Sequence, residues 1–400
     1  MAEFIIEKEK LLLCVCSSKD TNIKIPEGIV ELGDGAFFHC TNLESVEIPE
    51  GLQKIGKRAF AECGKLRYIN FPSTLKYIDD WAFTYCESLV EITFTGELVS
   101  IGDSAFFGCI NLSCITLSNK IESIGKSAFY KCTSLEKIDL PNSLTQIKES
   151  AFCSCTSLKS ITIPNKVTTL EKYLFKDCAS LENVTLQGGL IALGEGVFYQ
   201  CGSLIDIALP STLLSIESWC FFRCEKLKKL SIPDSVEKLG TNLFDTCRSI
   251  EEIELPNGIT KIPRYTFYFC EGLKRITLPK TITEIDNYSL CGCKGLEEIE
   301  LPDSIIRIGK YAFCACISLE SIRIPSNLTE IENGMFQECY SLKSIELPKN
   351  LTKLCENAFN NCTSLVLEVP STITTIHKSA FKTCKMDNIK ISHKPKWIEG

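Results

Sequence analysis

A cysteine returns every 23 residues from Cys40 to Cys362, and Cys384 follows one residue early. A fixed period of this length is the mark of a solenoid, in which each unit is one supersecondary element stacked on the next. The feature constrains the fold before any other, because a unit this short cannot bury its own apolar side. Neighbouring units must share one continuous core, and stability becomes a sum of unit and interface contributions.

The unit that starts at Cys132 shows the pattern. Its apolar positions are Leu135, Ile138, Leu140, Leu144, Ile147, Ala151 and Phe152. Ile138 and Leu140 flank Asp139, the alternation of a half-buried strand. Pro141 ends that strand, since it has no N–H to give to a ladder. Leu144 and Ile147 predict a second short extended piece. The glycine that often follows, as at Gly33, Gly56 and Gly102, predicts a tight turn. The Ala-Phe-x-x-Cys segment is long enough only for a short helical or 3-10 turn. Phenylalanine fills the same place in nearly every unit, from Phe37 to Phe381, with Leu290 the exception.

The repeat Leu-x-x-Ile-x-Leu-Pro-x-x-Leu-x-x-Ile-Gly-x-x-Ala-Phe-x-x-Cys resembles the BspA-type, or Treponema pallidum-type, leucine-rich repeat over roughly residues 23–391. The resemblance implies a right-handed leucine-rich-repeat superhelix of 23-residue units. A parallel β-sheet would line its inner face, and short helical or 3-10 turns its convex face. Members are commonly bacterial or protozoan and often lie at the cell surface, some with a role in adhesion. For this chain the resemblance implies protein binding through the solenoid surface, with cell adhesion as one form.

The ends depart from the repeat. Residues 1–22 are expected to form a β-hairpin cap, with Glu7-Lys8-Glu9-Lys10 between two apolar runs. A solenoid's end unit exposes apolar core and needs such a cover. Residues 23–384 then form the solenoid and 385–400 a C-terminal cap and tail, with Trp397 folding back over the last unit.

Composition sets further bounds. The net charge of −7 argues against non-specific nucleic-acid binding, which needs a basic surface. No apolar run approaches a membrane span. The chain opens acidic, at Met1-Ala2-Glu3-Phe4, where a secretory signal would open basic. The expectation is a soluble monomer with a protein partner. The compartment stays open: the absent signal and the many thiols favour the cytoplasm, and a removed leader would place the chain at the cell surface or outside.

Catalytic chemistry finds no constellation. The three histidines are His39 near one end and His377 and His393 near the other, so no shared triad is expected. No Walker loop, GxGxxG or HExxH spacing occurs. The chain is read as no enzyme and as needing no cofactor. The second class of function is a thiol or metal protein. Cys291-x-Cys293 and Cys314-x-Cys316 occupy the same place in adjacent units, and four thiolates could close a tetrahedral zinc site. A Cys291–Cys314 disulfide or plain neighbouring thiols fit the same spacing. The ladder cysteines themselves read as small buried hydrophobes.

The outward strand positions are the candidate binding surface. They are small and hydroxylic in the middle of the chain. Later they become charged, with Glu252, Glu254, Glu298 and Glu300 around Arg275, and Arg323 beyond. This set reads as a shallow groove for a basic segment of a partner. A solvated sheet face would show the same residues, since threonine is a good strand former. On the convex side Phe38, Phe107, Tyr130, Tyr199, Phe222 and Tyr268 each precede a ladder cysteine by two residues. Phe107 and Tyr130 sit in adjacent units, where partial burial between turns is expected.

Overall fold

The fold is taken from a computed structural model that describes residues 3–17 and 19–399. The chain divides into two compact units, Met1–Leu204 and Ile205–Gly400. Each is a β-solenoid built from parallel strands. The helical content of the described residues is a single 3-10 turn, Met386–Asn388.

Most rungs carry two strand segments. In the first unit the inner row runs Asn22–Lys24, Ser45–Glu47 and Tyr68–Asn70, then Glu91–Thr93, Cys114–Thr116 and Lys137–Asp139, then Ser160–Ile163 with Asn183–Leu186. Partners are in register by one repeat, as in Ile115 beside Ile138. The central residue of each strand is buried and its flanks are exposed, the period-2 pattern of a one-sided sheet. The second row is shorter but more continuous. From Glu31–Leu32 to Gln146–Ile147 it forms one sheet, extended at its start by the hairpin Glu3–Glu7 and Lys10–Val15.

In the second unit the inner row comes in pairs: Glu252–Glu254 with Arg275–Thr277, Ser321–Arg323 with Ser344–Glu346, and Leu367–Val369 with Ile389–Ile391. Residues 298–300, equivalent to these strands, lie outside any strand. The tail adds a further strand, Lys396–Ile398, beside Thr375–His377, so Trp397 pairs in register with Ile376 while its side chain stays largely exposed.

The Ala-Phe-x-x-Cys segments correct the expected helical or 3-10 turns. They form a third ladder made of turns. Phe60 N–H donates to the Ala82 carbonyl of the next rung at 2.7 Å and Glu62 N–H to that of Thr84 at 2.8 Å. The alternate groups close turns within the rung: Ala61 N–H to the Arg58 carbonyl at 3.1 Å, and Cys63 N–H to that of Phe60 at 3.2 Å. Arg58 and Glu62 have φ of 53° and 64°, and the same two places are left-handed in rung after rung. A helix would use the carbonyls of its own segment. Here half the N–H groups leave for the neighbour, and the left-handed residues make that possible.

The core follows from this stacking. Phenylalanine rings lie flat on one another, 4.8 Å apart at Phe37–Phe60 and 5.8 Å at Phe175–Phe198, all fully buried. In the second unit Phe221, Phe244 and Phe267 stack in the same way, and Leu290 takes the next place. The ladder cysteines gain a specific role. The thiol of Cys86 donates to the Phe60 carbonyl of the preceding rung at 3.1 Å, and Cys178 does so to Phe152 at 3.1 Å. Each such carbonyl also takes the N–H of its own rung's cysteine, so both lone pairs are used.

The glycines after the second strand also need a different explanation. Their φ is not positive. A Cβ on Gly56 would come within 2.7 Å of the Leu32 carbonyl oxygen, the atom that Gly56 N–H itself donates to at 2.8 Å. Close approach of the neighbouring rung, more than a turn, is what favours glycine there.

The candidate binding surfaces

The charged strand face lies in the second unit. Glu252 pairs in register with Arg275, and Glu254 with Thr277, all with exposed side chains. Glu298 and Glu300 are exposed on the unpaired segment that follows. Without strand pairing there, a cleft of about 530 Å³ opens, lined by Thr277, Lys280, Glu300, Asp303, Ser304 and Arg323 among others. The six residues read from the sequence therefore divide. Glu300 and Arg323 line the cleft. Glu298 lies on the unpaired segment with Glu300, Arg275 on the strand whose Thr277 lines the cleft, and Glu252 and Glu254 on the rung before that.

Asp303 is the addition the sequence reading missed. Its carboxylate takes Arg323 at 3.0 Å, and that hydrogen bond, followed by one from the Ser326 N–H, holds the carboxyl below its ordinary range. Asp303 directly follows the strand-ending Pro302, so counting outward strand positions passes over it. Lys274 and Glu251, beside the acidic row, are paired at 2.8 Å. Among the described residues Arg275 has no ion pair, so the surface presents a mixed field with carboxylates in excess.

The turn ladder makes a second surface of different composition. Its left-handed positions hold Trp81, Tyr85, Tyr173, Trp219, Tyr265, Tyr288 and Tyr311. Tyr265, Tyr288 and Tyr311 stack at 5.1 and 4.9 Å. Phe107 and Tyr130, expected as neighbours, are half-buried and stack at 5.0 Å with planes 2° apart. Where such a run of rings ends, the next rung often places glycine beneath it: a Cβ on Gly108 would meet the Tyr85 ring at 2.6 Å, and one on Gly334 the Tyr311 ring at 2.1 Å. The signal was present as aromatics recurring at the period. It went unread because nothing local marks those positions as left-handed and outward.

The thiols correct the four-cysteine zinc reading. Cys293 and Cys316 belong to the ladder and donate to the carbonyls of Phe267 and Leu290 at 3.2 and 3.3 Å. Cys291 and Cys314 instead hydrogen-bond to each other. That bond, with burial, pushes Cys291 well up, and the same bond pulls Cys314 down against the effect of burial. Alternate residues of the turn point apart, so the four sulfurs do not converge. Among the described residues no group of three or more His, Cys, Asp or Glu side chains is placed to hold a metal ion. Ladder thiols are held protonated by burial; Cys63, for example, is pushed up to about 12. At the first rung Cys40 leaves the ladder and forms a disulfide with Cys16. Among the described residues, Cys114 on the inner face is the exposed free thiol.

His39 is exposed on the turn ladder and contacts Glu62 at 3.1 Å, while His377 and His393 belong to the last rungs. No helix among the described residues is long and apolar enough to cross a membrane.

Comparison with known proteins adds the following. The model of the BspA type Leucine rich repeat region matches in six overlapping copies, at residues 14–136, 91–204, 122–251, 191–302, 237–366 and 283–399. A leucine-rich repeat protein from Bacteroides ovatus ATCC 8483 is 27% identical with a TM-score of 0.72, covering 100% of this chain and 98% of that one. The leucine-rich repeat protein of T. pallidum is 27% identical with a TM-score of 0.38, covering 52% of this chain and 88% of that one. A leucine rich cell surface protein from Faecalibacterium prausnitzii A2-165 is 24% identical with a TM-score of 0.42, covering 98% and 95%. No curated protein matches the chain.

Proposed function

We propose that this chain, which belongs to the BspA-type leucine-rich repeat family, is a non-catalytic scaffold that binds a protein partner through its solenoid surface. Proteins of this family are generally protein-interaction or surface proteins, and leucine-rich repeat proteins are typically non-enzymatic. Residues 1–22 and 385–400 act as end covers, and recognition falls to the repeated faces between them.

The observation that carries the reading is the cleft on the strand face. It opens where strand pairing is interrupted at residues 298–300, and the face around it sets Glu252, Glu254, Glu298, Glu300 and Asp303 against Arg275, Lys280 and Arg323. A basic, extended segment of a partner matches that charge, and the outward positions of a parallel ladder offer it a site at every rung. Electrostatic complementarity of this kind sets partner choice and encounter rate more than raw affinity.

The test is reversal of Glu252, Glu254, Glu298 and Glu300 to lysine in the full chain. These side chains are exposed, so the melt is expected to move little, within about 0.5 kcal/mol. Binding to a fluorescent oligo-lysine peptide should be lost at low salt. Retained binding would remove the strand face from the function. Cell adhesion is the more specific form we propose within this class. It predicts labelling of the chain on intact source cells by a membrane-impermeant reagent, and protection until lysis would retire it.

A further inference from the structure

Two neighbouring pockets on the turn ladder of the first unit share Phe38, Arg58 and Trp81. The larger, about 490 Å³, adds Asp34 and Lys57. The smaller, about 380 Å³, adds Glu62, Tyr85 and Phe107. Phe38, Trp81 and Tyr85 remain 48%, 40% and 46% exposed, so these rings are not spent on the core. Tyr85 stands edge-on to Phe107 at 5.5 Å and 83°, which makes a right-angled corner that accepts a flat or branched apolar group.

The charges divide in an informative way. Lys57 is held by Asp80 at 3.1 Å, His39 occupies Glu62 at 3.1 Å, and the Asp34 carboxylate takes the Lys57 N–H at 3.0 Å. Arg58 alone among these lining cations has no carboxylate partner among the described residues. Its guanidinium lies over the Trp81 ring at 5.4 Å, a placement that leaves its forked N–H donors open to a planar anion. The backbone is fixed for this display. Arg58, Trp81 and Tyr85 have φ of 53°, 55° and 58°, and the N–H groups of Trp81 and Tyr85 are bonded to the next rung at 2.9 and 2.8 Å. Such preorganisation lowers the ordering cost of binding.

We propose that the Arg58–Trp81–Tyr85–Phe107 pocket binds an acidic, aromatic-bearing peptide segment of a protein partner. The ligand carboxylate pairs with Arg58 and its apolar side chain enters the corner between Tyr85 and Phe107. Tryptophan, tyrosine and arginine together are the residue types that carry most binding energy at protein interfaces. The proposal rests on the chain being a protein binder, but not on the strand-face cleft, which lies in the other unit and selects the opposite charge.

The experiment uses the full chain and short fluorescent peptides that alternate Asp with Phe, Lys with Phe, or Asp with Ser, read by anisotropy. The Asp/Phe peptide is expected to bind and the other two to bind about tenfold more weakly or not at all. Arg58→Glu should weaken the Asp/Phe peptide by about tenfold or more, with Arg58→Lys intermediate. Tyr85→Ala repeats the test from the apolar side, and Arg58, being exposed, keeps it decisive should the aromatic variant misfold. Failure of the Asp/Phe peptide to bind, equal binding of the Lys/Phe peptide, or binding unchanged in Arg58→Glu each overturns the proposal. Loss in the strand-face lysine variant, with Arg58→Glu unaffected, overturns it as well and leaves the scaffold reading standing. A neutral glycan that binds the pocket in place of the Asp/Phe peptide, indifferent to Arg58→Glu, would reassign it to carbohydrate.

Discussion

The strand row and the turn row of the same rung produce opposite surfaces. Outward positions of the strand row are mostly small or charged, as at Glu252, Arg275 and Thr277, with Tyr68 an exception, whereas those of the turn row hold Trp81, Tyr85 and Tyr288. The strand row is the regular element, yet in both units it breaks into short sheets. The turn row has no regular element, yet it bonds to the next rung through alternate N–H groups. Regularity of local conformation and continuity of the ladder are therefore separate properties. Large rigid rings are displayed where the backbone is tied in two directions at once.

The largest expected effect lies beneath both rows. Phe175 is fully buried between Phe152 and Phe198, and Phe175→Ala should cost roughly 3–5 kcal/mol in a thermal or denaturant melt. A melt like that of the wild type would mean the stacked rings do not unite the two surfaces. A smaller change is specific to the turn row. Gly108 has φ of +72° and the Tyr85 ring beside its missing Cβ. Gly108→Leu should cost at least about 1–2 kcal/mol from the left-handed conformation and should displace Tyr85. The same change at Gly64, with nothing within 4 Å and no positive φ, is the control. Equal cost at the two sites would refute the claim that the turn row is the constrained one.

The thiol ladder joins the turn row to the core. Cys178→Ala removes the 3.1 Å bond to the Phe152 carbonyl, which keeps the N–H of Cys155 at 3.2 Å. A loss of about 1 kcal/mol is expected, and a neutral result would reduce the cysteine to a space-filler.

Asp245 gives the smallest effect. Burial raises its carboxyl pKa, despite hydrogen bonds from Asn242 and Thr246 and the nearby Arg223. The folded state thus holds the proton more tightly than the unfolded chain. Stability falls as pH rises from the unfolded value, about 3.9, through the raised folded one, and is level above it. Asp245→Asn should raise Tm at pH 7 and flatten that acid-side slope. A lower Tm with the slope intact would show that the ionised carboxylate is favourable where it stands.

Much of the fold was legible because stacking repeats one environment at every rung. The spacing alone located Phe37, Phe60 and their successors, the central isoleucines such as Ile115 and Ile138, and the ladder cysteines as buried. The misreadings fall where a residue's partner lies in the next rung. Ala-Phe-x-x-Cys reads as a helical turn because its local spacing allows one, and only the neighbour's carbonyls draw half the N–H groups away. Gly56 reads as a turn glycine until the Leu32 oxygen is placed beside it. Cys40 reads as one more ladder thiol, but the hairpin returns Cys16 to it, a separation of 24 that falls outside the period. Within the charged face, Glu252 and Arg275 follow from the period, whereas the cleft depends on residues 298–300 failing to pair.

By itself the sequence determined the repeat, the shared core and the alternation of buried and exposed strand positions. Each of these follows from a spacing that is the same in nearly every unit. The tertiary structure decided which N–H groups bond between rungs, which turn residues take the left-handed conformation, where the strand ladder opens, and that Arg58 lies over Trp81 with no carboxylate partner among the described residues. Those outcomes depend on the distance between a residue and its neighbour 23 positions away, and chemical identity along the chain does not encode that distance.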